Sequence, residues 1–161
     1  MNGPEVHGTD YNPILIEWCR RHLPFAQFQC NTLAAKLEHE DGKFDFIYAL
    51  SVFTHLPEEL ARAWLHELYR VMRPGGYLYV TTHGAHYFST RSPAEQAKLA
   101  QGELVVVATD RAGSNACAVF HPESYVREHW TNLFRVVDFR PGRAGMASEQ
   151  DAWLLQKTLI Q

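Results

Sequence analysis

The sequence predicts an α/β fold built on a mostly parallel sheet, because short apolar segments alternate with helical patterns between Glu5 and Thr82. Strands are expected at residues 5–9, 26–30, 44–50 and 77–82. Residues 135–139 and 152–156, joined by a loop over residues 140–151, predict a closing antiparallel strand pair. Ligands of such sheets bind beyond the carboxyl ends of the parallel strands.

Capping signals predict the helices between these strands. Asn12 before Pro13 begins the first helix, and Pro24 follows its end. Pro57 begins the second helix, and the Pro-Gly-Gly sequence at residues 74–76 ends it. Helical spacing predicts a buried stripe on each, formed by Leu15, Trp18, Cys19 and His22 on the first and by Leu60, Trp64, Leu68 and Val71 on the second. Residues 44–50 are nearly all apolar, which predicts a strand covered on both faces.

Composition restricts the class of protein. A length of 161 residues with 46% apolar and 20% charged residues predicts one globular domain over residues 1–161. The chain has 15 basic and 18 acidic residues, and its basic residues are not clustered in the sequence. This charge pattern disfavours nucleic acid or a membrane surface as a partner. Three widely spaced cysteines disfavour a disulfide framework and favour a reducing, cytoplasmic compartment. His83 and His86 have no cysteine or carboxylate arranged around them in the sequence, so no metal site is expected.

Four stretches of the sequence carry a family resemblance: residues 6–10, residues 44–56, residues 67–76, and the strand that follows to Thr82. In this order and separation they resemble the class I S-adenosylmethionine-dependent methyltransferases, closely over residues 5–84 and in outline beyond. The resemblance implies a Rossmann-like, doubly wound sheet with the strand order three, two, one, four, five, seven, six. It also implies a cofactor-side half at residues 1–83, a variable substrate region at 84–121, and a C-terminal helix and strand pair at 122–161.

The resemblance further implies which residues bind S-adenosylmethionine: Asp10, Tyr11, Asn31, Thr32, Leu33 and Ser51. The carboxylate of Asp10 would accept hydrogen bonds from both ribose hydroxyls, and the amide of Asn31 would meet the adenine edge. Ser51 would line the methionine end of the cofactor. For Asp10 the alternative is a residue that only helps to start the helix, and for Asn31 it is a turn former.

The stretch after the fourth family strand supplies the candidate catalytic and substrate residues. Methyl transfer needs an acceptor in line with the methyl carbon and shielded from water, so positioning carries most of the catalysis. If the acceptor must lose a proton, His55 or His83 would serve as the base, and His55 is the catalytic candidate. The alternative for His55 is a helix-flanking histidine bonded to the backbone. Val52, Phe53, His83 and Tyr87 are the candidate contacts to the acceptor, an unidentified small molecule.

The sequence departs from the family pattern before Glu5. Nothing in residues 1–4 can stand in for the family's first strand and its glycine-rich loop. In the family order this strand lies between the segments around Val6 and Tyr48, which the assignment expects in one sheet. Its absence would leave two strand edges about 9 to 10 Å apart. We therefore consider a fragment of a longer protein, edges that close on each other, or a strand supplied by self-association or another chain.

Two further functions compete with methyl transfer. A nicotinamide-dependent dehydrogenase would also suit Asp10 at a strand end, but residues 51–55 together with residues 70–76 favour the methyltransferases. A non-catalytic methyltransferase remnant, or a partner-binding subunit that needs another chain to complete the cofactor site, is the second alternative.

Overall fold

A computed structural model describes residues 3–144 and 149–158. The chain divides into two compact units, residues 1–38 and residues 39–161. The prediction of one domain over residues 1–161 stays a prediction. Part of the predicted loop at residues 140–151 lies outside the described residues, as do residues 1–2 of the N-terminal segment.

The first unit is a strand, a helix and a second strand: β1 (His7–Asp10), α1 (Pro13–His22) and β2 (Gln27–Cys30). β1 and β2 pair in parallel. The Asn12 side chain accepts hydrogen bonds from the amides of Ile14 and Leu15 at 3.0 and 3.4 Å, which satisfies two of the free donors at the start of the helix. The predicted strand-helix-strand order and its helix cap are confirmed.

The predicted inner face of α1 is wrong. Ile16 is the buried residue of this helix, whereas Leu15, His22 and Trp18, which is 54% exposed, face outward. A sheet of two strands covers only a narrow stripe of a helix that packs on it. The apolar residues at helical spacing are therefore more numerous than the positions that this unit can bury.

The second unit contains the remaining strands and helices. The strands are β3 (Phe44–Ala49), β4 (Met72–Thr82), β5 (Val105–Val107), β6 (Ala118–Phe120), β7 (Phe134–Arg140) and β8 (Asp151–Lys157), and the helices are α2 (Glu58–Val71), α3 (Pro93–Ala100) and α4 (Glu123–His129). Four strands form one sheet in the order β3-β4-β8-β7, and β5 pairs with β6. β3 and β4 are parallel, and β8 runs antiparallel to both β4 and β7. The closing antiparallel pair is confirmed.

The segments around Val6 and Tyr48 were expected in one sheet, and in the described residues they lie in two. This prediction is wrong. β1 pairs with β2 in one sheet, and β3 pairs with β4 in another. Within each sheet the order still follows the expected one: β2-β1 corresponds to family strands three and two, and β3-β4-β8-β7 to four, five, seven and six. The predicted absence of the first family strand stays a prediction.

The junction of α2 and β4 differs from its prediction. α2 ends at Val71 and β4 begins at Met72, so the Pro-Gly-Gly sequence lies within the strand as an irregularity. There Gly75 has a φ of 74°, which glycine adopts without the steric cost that a side chain brings. On α2, Leu68 and Val71 of the predicted stripe are buried, whereas Ala61 and Leu65 are buried in place of Leu60 and Trp64, and Glu67 is buried as well.

β3 is not covered on both faces, contrary to the prediction. Tyr48 is 66% exposed, and Phe46 and Leu50 are also exposed. β3 is the edge strand of its sheet and pairs only with β4 in the described structure, so fewer neighbours shield its side chains. The core lies instead under β4, β7 and β8, where Leu78, Phe134 and Trp153 are fully buried. Among the helices of the described residues, none has the length and apolar content needed to cross a bilayer.

Candidate functional site

The candidate site of the second unit lies where β3 and β4 end. Since these strands are parallel, their carboxyl ends meet at the same edge of the sheet. Ser51 follows β3 with a φ of 56°, and its amide donates to the Thr81 hydroxyl of β4 at 2.8 Å. The chain then forms a short 3₁₀ turn, Phe53–His55. This turn brings the His55 ring to the His83 ring just after β4, with 6.2 Å between centroids and the planes nearly perpendicular.

His55 is held in one orientation by the backbone. Its Nδ1 atom lies 2.6 Å from the carbonyl oxygen of Cys117, and its own carbonyl accepts from the Gly113 amide at 2.8 Å. Because a carbonyl oxygen can only accept, Nδ1 must carry the proton. In the neutral ring Nε2 then keeps its lone pair. The backbone-bonded alternative is therefore what the structure shows, and the same bond also gives the orientation that a general base needs.

His83 lies between two aromatic rings. Its centroid is 4.6 Å from that of Tyr87 and 5.3 Å from that of Phe120. Burial, followed by the nearby His55, lowers the pKa of His83 to about 4. His83 is therefore uncharged at neutral pH, and it is a weaker base than an ordinary histidine. Of the two histidines considered from sequence, the geometry and this pKa favour His55 as the base and His83 as a wall of the site.

His121 is a site residue that sequence reasoning missed. It is only 1% exposed, and its amide donates to the His83 carbonyl at 2.9 Å. Burial and the neighbouring His83 lower the pKa of His121 to about 3, so this ring is also neutral. Its Nδ1 atom is buried and has no hydrogen-bond partner in the described part of the chain. The sequence offered only a helix-opening signal at this position.

The remaining candidate residues of the site differ in how far their side chains are exposed. Val52 is exposed, and Tyr87 is partly exposed in the 3₁₀ segment Ala85–Thr90. Phe53 is 1% exposed and packs on Trp130 with 5.2 Å between ring centroids. Phe53 therefore belongs to the core beneath the site, and its side chain has no exposed surface to offer an acceptor. Ser51 keeps an exposed position, with its hydroxyl accepting from the Gln150 amide.

A buried carboxyl group supports the end of β4. Asp151 accepts from the Gly142 amide at 2.8 Å, and burial raises its pKa. A Cβ atom on Gly84 would lie 1.8 Å from one of the Asp151 oxygens, so only glycine fits there. Beside it, the Trp153 indole donates to the Thr82 hydroxyl at 3.1 Å. These contacts fix the backbone that carries His83.

The candidate cofactor residues of the first unit lie in and after β1 and β2. Asp10 ends β1 and accepts from the Asn12 amide at 2.7 Å through Oδ1. Asn31 accepts from the Thr9 hydroxyl at 2.7 Å and donates to the Thr32 carbonyl at 2.6 Å. Asp10 and Asn31 thus make the local hydrogen bonds expected of a residue that starts a helix and of a turn former, respectively. Roles with adenosine would use the second oxygen of Asp10 and the second amide hydrogen of Asn31.

Tyr11, Thr32 and Leu33 are exposed beside these two residues in sequence. In the residues that the structure describes, no group of three or more histidine, cysteine, aspartate or glutamate side chains is arranged to hold a metal ion.

Comparison with known proteins gives the family. A methyltransferase-domain family model matches residues 1–80. Three similar solved structures share the fold. A SAM-dependent methyltransferase from Methanosarcina mazei has a TM-score of 0.68 at 20% identity, covering 97% of this chain and 83% of that one. The Burkholderia thailandensis 1,6-didemethyltoxoflavin-N1-methyltransferase, with 1,6-didemethyltoxoflavin and S-adenosylhomocysteine bound, has a TM-score of 0.67 at 16% identity, covering 96% and 61%.

The third structure is a Haloferax volcanii methyltransferase in complex with the Trm112 methyltransferase activator. It has a TM-score of 0.66 at 10% identity, covering 96% of this chain and 73% of that one. Identities this low show the fold, and the family follows from the matching model. The chain belongs to the class I S-adenosylmethionine-dependent methyltransferases, a family of enzymes whose cofactor is S-adenosylmethionine.

Proposed function

We propose that this chain transfers the methyl group of S-adenosylmethionine to a small molecule whose nucleophilic oxygen or nitrogen carries a proton, and that His55 removes this proton. The observation that carries the proposal is the 2.6 Å hydrogen bond between Nδ1 of His55 and the carbonyl of Cys117. This bond fixes the tautomer in which Nε2 is unprotonated. A base held in one orientation avoids the cost of ordering it during the reaction.

The proposed cofactor contacts follow from the family assignment. Asp10 would accept from the ribose hydroxyls, with Tyr11 beside it, and Asn31, Thr32 and Leu33 would lie at the adenine. Ser51 would line the methionine end. Support for Ser51 comes from its left-handed backbone, because a non-glycine residue in that conformation is uncommon and is often found at functional sites.

We also place the enzyme in the cytoplasm, on the basis of its thiols. Cys19, Cys30 and Cys117 are all free, and Cys30 is exposed. Exposed thiols persist in a reducing compartment.

The role of His55 is tested by the His55→Gln variant in a methyl-transfer assay. Labelled S-adenosylmethionine is incubated with a set of small molecules that carry hydroxyl or N–H groups, and labelled product is counted. We expect the variant to turn over about 10²- to 10⁴-fold more slowly than the wild type, because a positioned general base contributes about that factor. The matched control is His66→Gln, which removes an exposed histidine from α2.

Equal rates in the wild type and His55→Gln would refute the base role. Detection of the imidazole nitrogens by ¹⁵N NMR provides a check that needs no acceptor. The proposal expects the neutral form of the His55 ring to carry its proton on Nδ1 and none on Nε2. The opposite tautomer would contradict it.

A further inference from the structure

The walls of the His55 site consist mainly of aromatic rings. His83 lies against Tyr87 and Phe120, and Tyr87 and Phe88 pack in turn on the buried cluster of Leu99, Val105 and Phe120. Rings backed by a packed apolar cluster form a rigid surface, and flat ligands stack on such surfaces with favourable offset or edge-to-face contacts.

Each charged group near these rings already contacts a neighbouring residue. The Arg91 guanidinium lies 4.5 Å over the Phe120 ring centroid and donates to the Thr90 hydroxyl. Glu149, which acts on Tyr87, lies 3.3 Å from His86. Asp110, which acts on Cys117, contacts Arg111 at 3.4 Å. Among the described residues, the structure gives no ion pair to His55, His83 or His121.

The His83 and His121 imidazoles add no charge at neutral pH, because burial keeps both rings unprotonated. Among the described residues, the cation at these rings is Arg91, which already lies over Phe120, and the carboxylate is that of Glu149, which already lies against His86. A carboxylate or ammonium ligand would have to displace one of these existing contacts to replace the hydration that it loses, which is costly. An uncharged ligand avoids this loss.

We infer that the methyl acceptor is an uncharged, planar aromatic molecule that stacks at the wall of His83 and Tyr87 and presents a hydroxyl or ring N–H to Nε2 of His55. This inference rests on the proposed function and names its substrate class. In the reaction the acceptor lone pair forms a bond to the methyl carbon while the carbon–sulfur bond breaks and its electrons pass to sulfur. The acceptor proton passes to Nε2 of His55, and the products are the methylated ring and S-adenosylhomocysteine.

The test compares three probes with one ring system: 2-naphthol, 2-naphthoate and 2-naphthylmethylammonium. Their dissociation constants are measured by NMR near neutral pH, with and without saturating S-adenosylhomocysteine. We expect 2-naphthol to bind at least about tenfold more tightly than either ion, which is the order expected when a charge loses its hydration and finds no free partner. Tyr87→Leu should weaken 2-naphthol binding about three- to tenfold, while Tyr87→Phe, which keeps the ring, should bind almost as the wild type does.

The matched control is Tyr77→Leu, since Tyr77 is an exposed tyrosine in the middle of β4, six residues before His83. Its binding of 2-naphthol should equal that of the wild type. Tighter or equal binding of either ion, no binding of 2-naphthol at millimolar concentration in the presence of S-adenosylhomocysteine, or an unchanged affinity in Tyr87→Leu would each overturn the inference. If 2-naphthol binds with the expected preference but S-adenosylhomocysteine does not bind, the proposed methyl transfer fails and the neutral aromatic site stands.

Discussion

The buried His121 makes the stability of the protein sensitive to acid. In the folded protein burial holds the pKa of this ring at about 3, whereas an unfolded chain has the ordinary value of 6.5. Below pH 6.5 the His121 ring therefore binds a proton in the unfolded state but stays unprotonated in the folded state. The stabilisation is complete above pH 6.5 and is lost progressively as the pH falls from 6.5 towards 3.

These two pKa values give the size of the effect. When the pH falls from about 7 to 5, the shifted pKa of His121 alone should lower the free energy of unfolding by roughly 2 kcal/mol. The same reasoning applies to His83, whose pKa of about 4 gives a loss of similar size over that interval. His83 is only partly buried, so screening by solvent reduces its contribution to the pH dependence of stability. His121, at 1% exposure, provides the cleaner measurement.

The assay is urea unfolding of the wild type and His121→Leu at both pH values. Leucine has a similar volume and removes the titrating group, so the variant should lose about 2 kcal/mol less than the wild type between pH 7 and pH 5. The control His66→Gln, at an exposed position of α2, should lose as much as the wild type. A difference of less than about 0.5 kcal/mol between the wild type and His121→Leu would refute the buried, neutral state of this ring.

Three further substitutions test structural contacts within the second unit. Gly84→Ala should lower the free energy of unfolding by about 1–3 kcal/mol, because the new Cβ would meet the Asp151 carboxylate, and a normal melting temperature would contradict the close approach. Arg70→Leu should cost about 1–3 kcal/mol, because Arg70 joins α2 to the segment before β3 through the His39 carbonyl and the Asp41 carboxylate. Arg62→Leu, at an exposed ion pair, should cost less than about 0.5 kcal/mol in the same melts. Ser92→Ala removes the capping box of α3 and should cost about 1 kcal/mol by urea unfolding, with no loss expected if the box does not form in solution.

Local signals in the sequence predicted the elements well. The Asn12 cap, the proline at the start of α2 and the alternating apolar segments act within a few residues of one another, so they can be read from a single chain. The same signals placed His55 after a parallel strand, where the structure has it. Burial of the helix faces was predicted less well, because it depends on which other elements cover them.

The contacts that define the site could not be predicted from local patterns. The hydrogen bond from His55 joins residues 62 positions apart in sequence, and its acceptor is a backbone carbonyl that every residue type carries. His121 acquires its role only because the β5-β6 hairpin brings it to His83. Phe53 was expected at the surface of the site and lies in the core, since its 3₁₀ turn directs it onto Trp130.

Binding of S-adenosylhomocysteine tests the central claim, that this chain is a methyltransferase which holds the adenosyl cofactor, most directly. The free energy of unfolding is measured with and without this ligand for the wild type and for Asp10→Ala. At a ligand concentration of about a hundred times the dissociation constant, the wild type should gain roughly 2.7 kcal/mol and the variant much less. A folded wild-type protein whose stability is unchanged at millimolar ligand would show that this chain does not hold the cofactor.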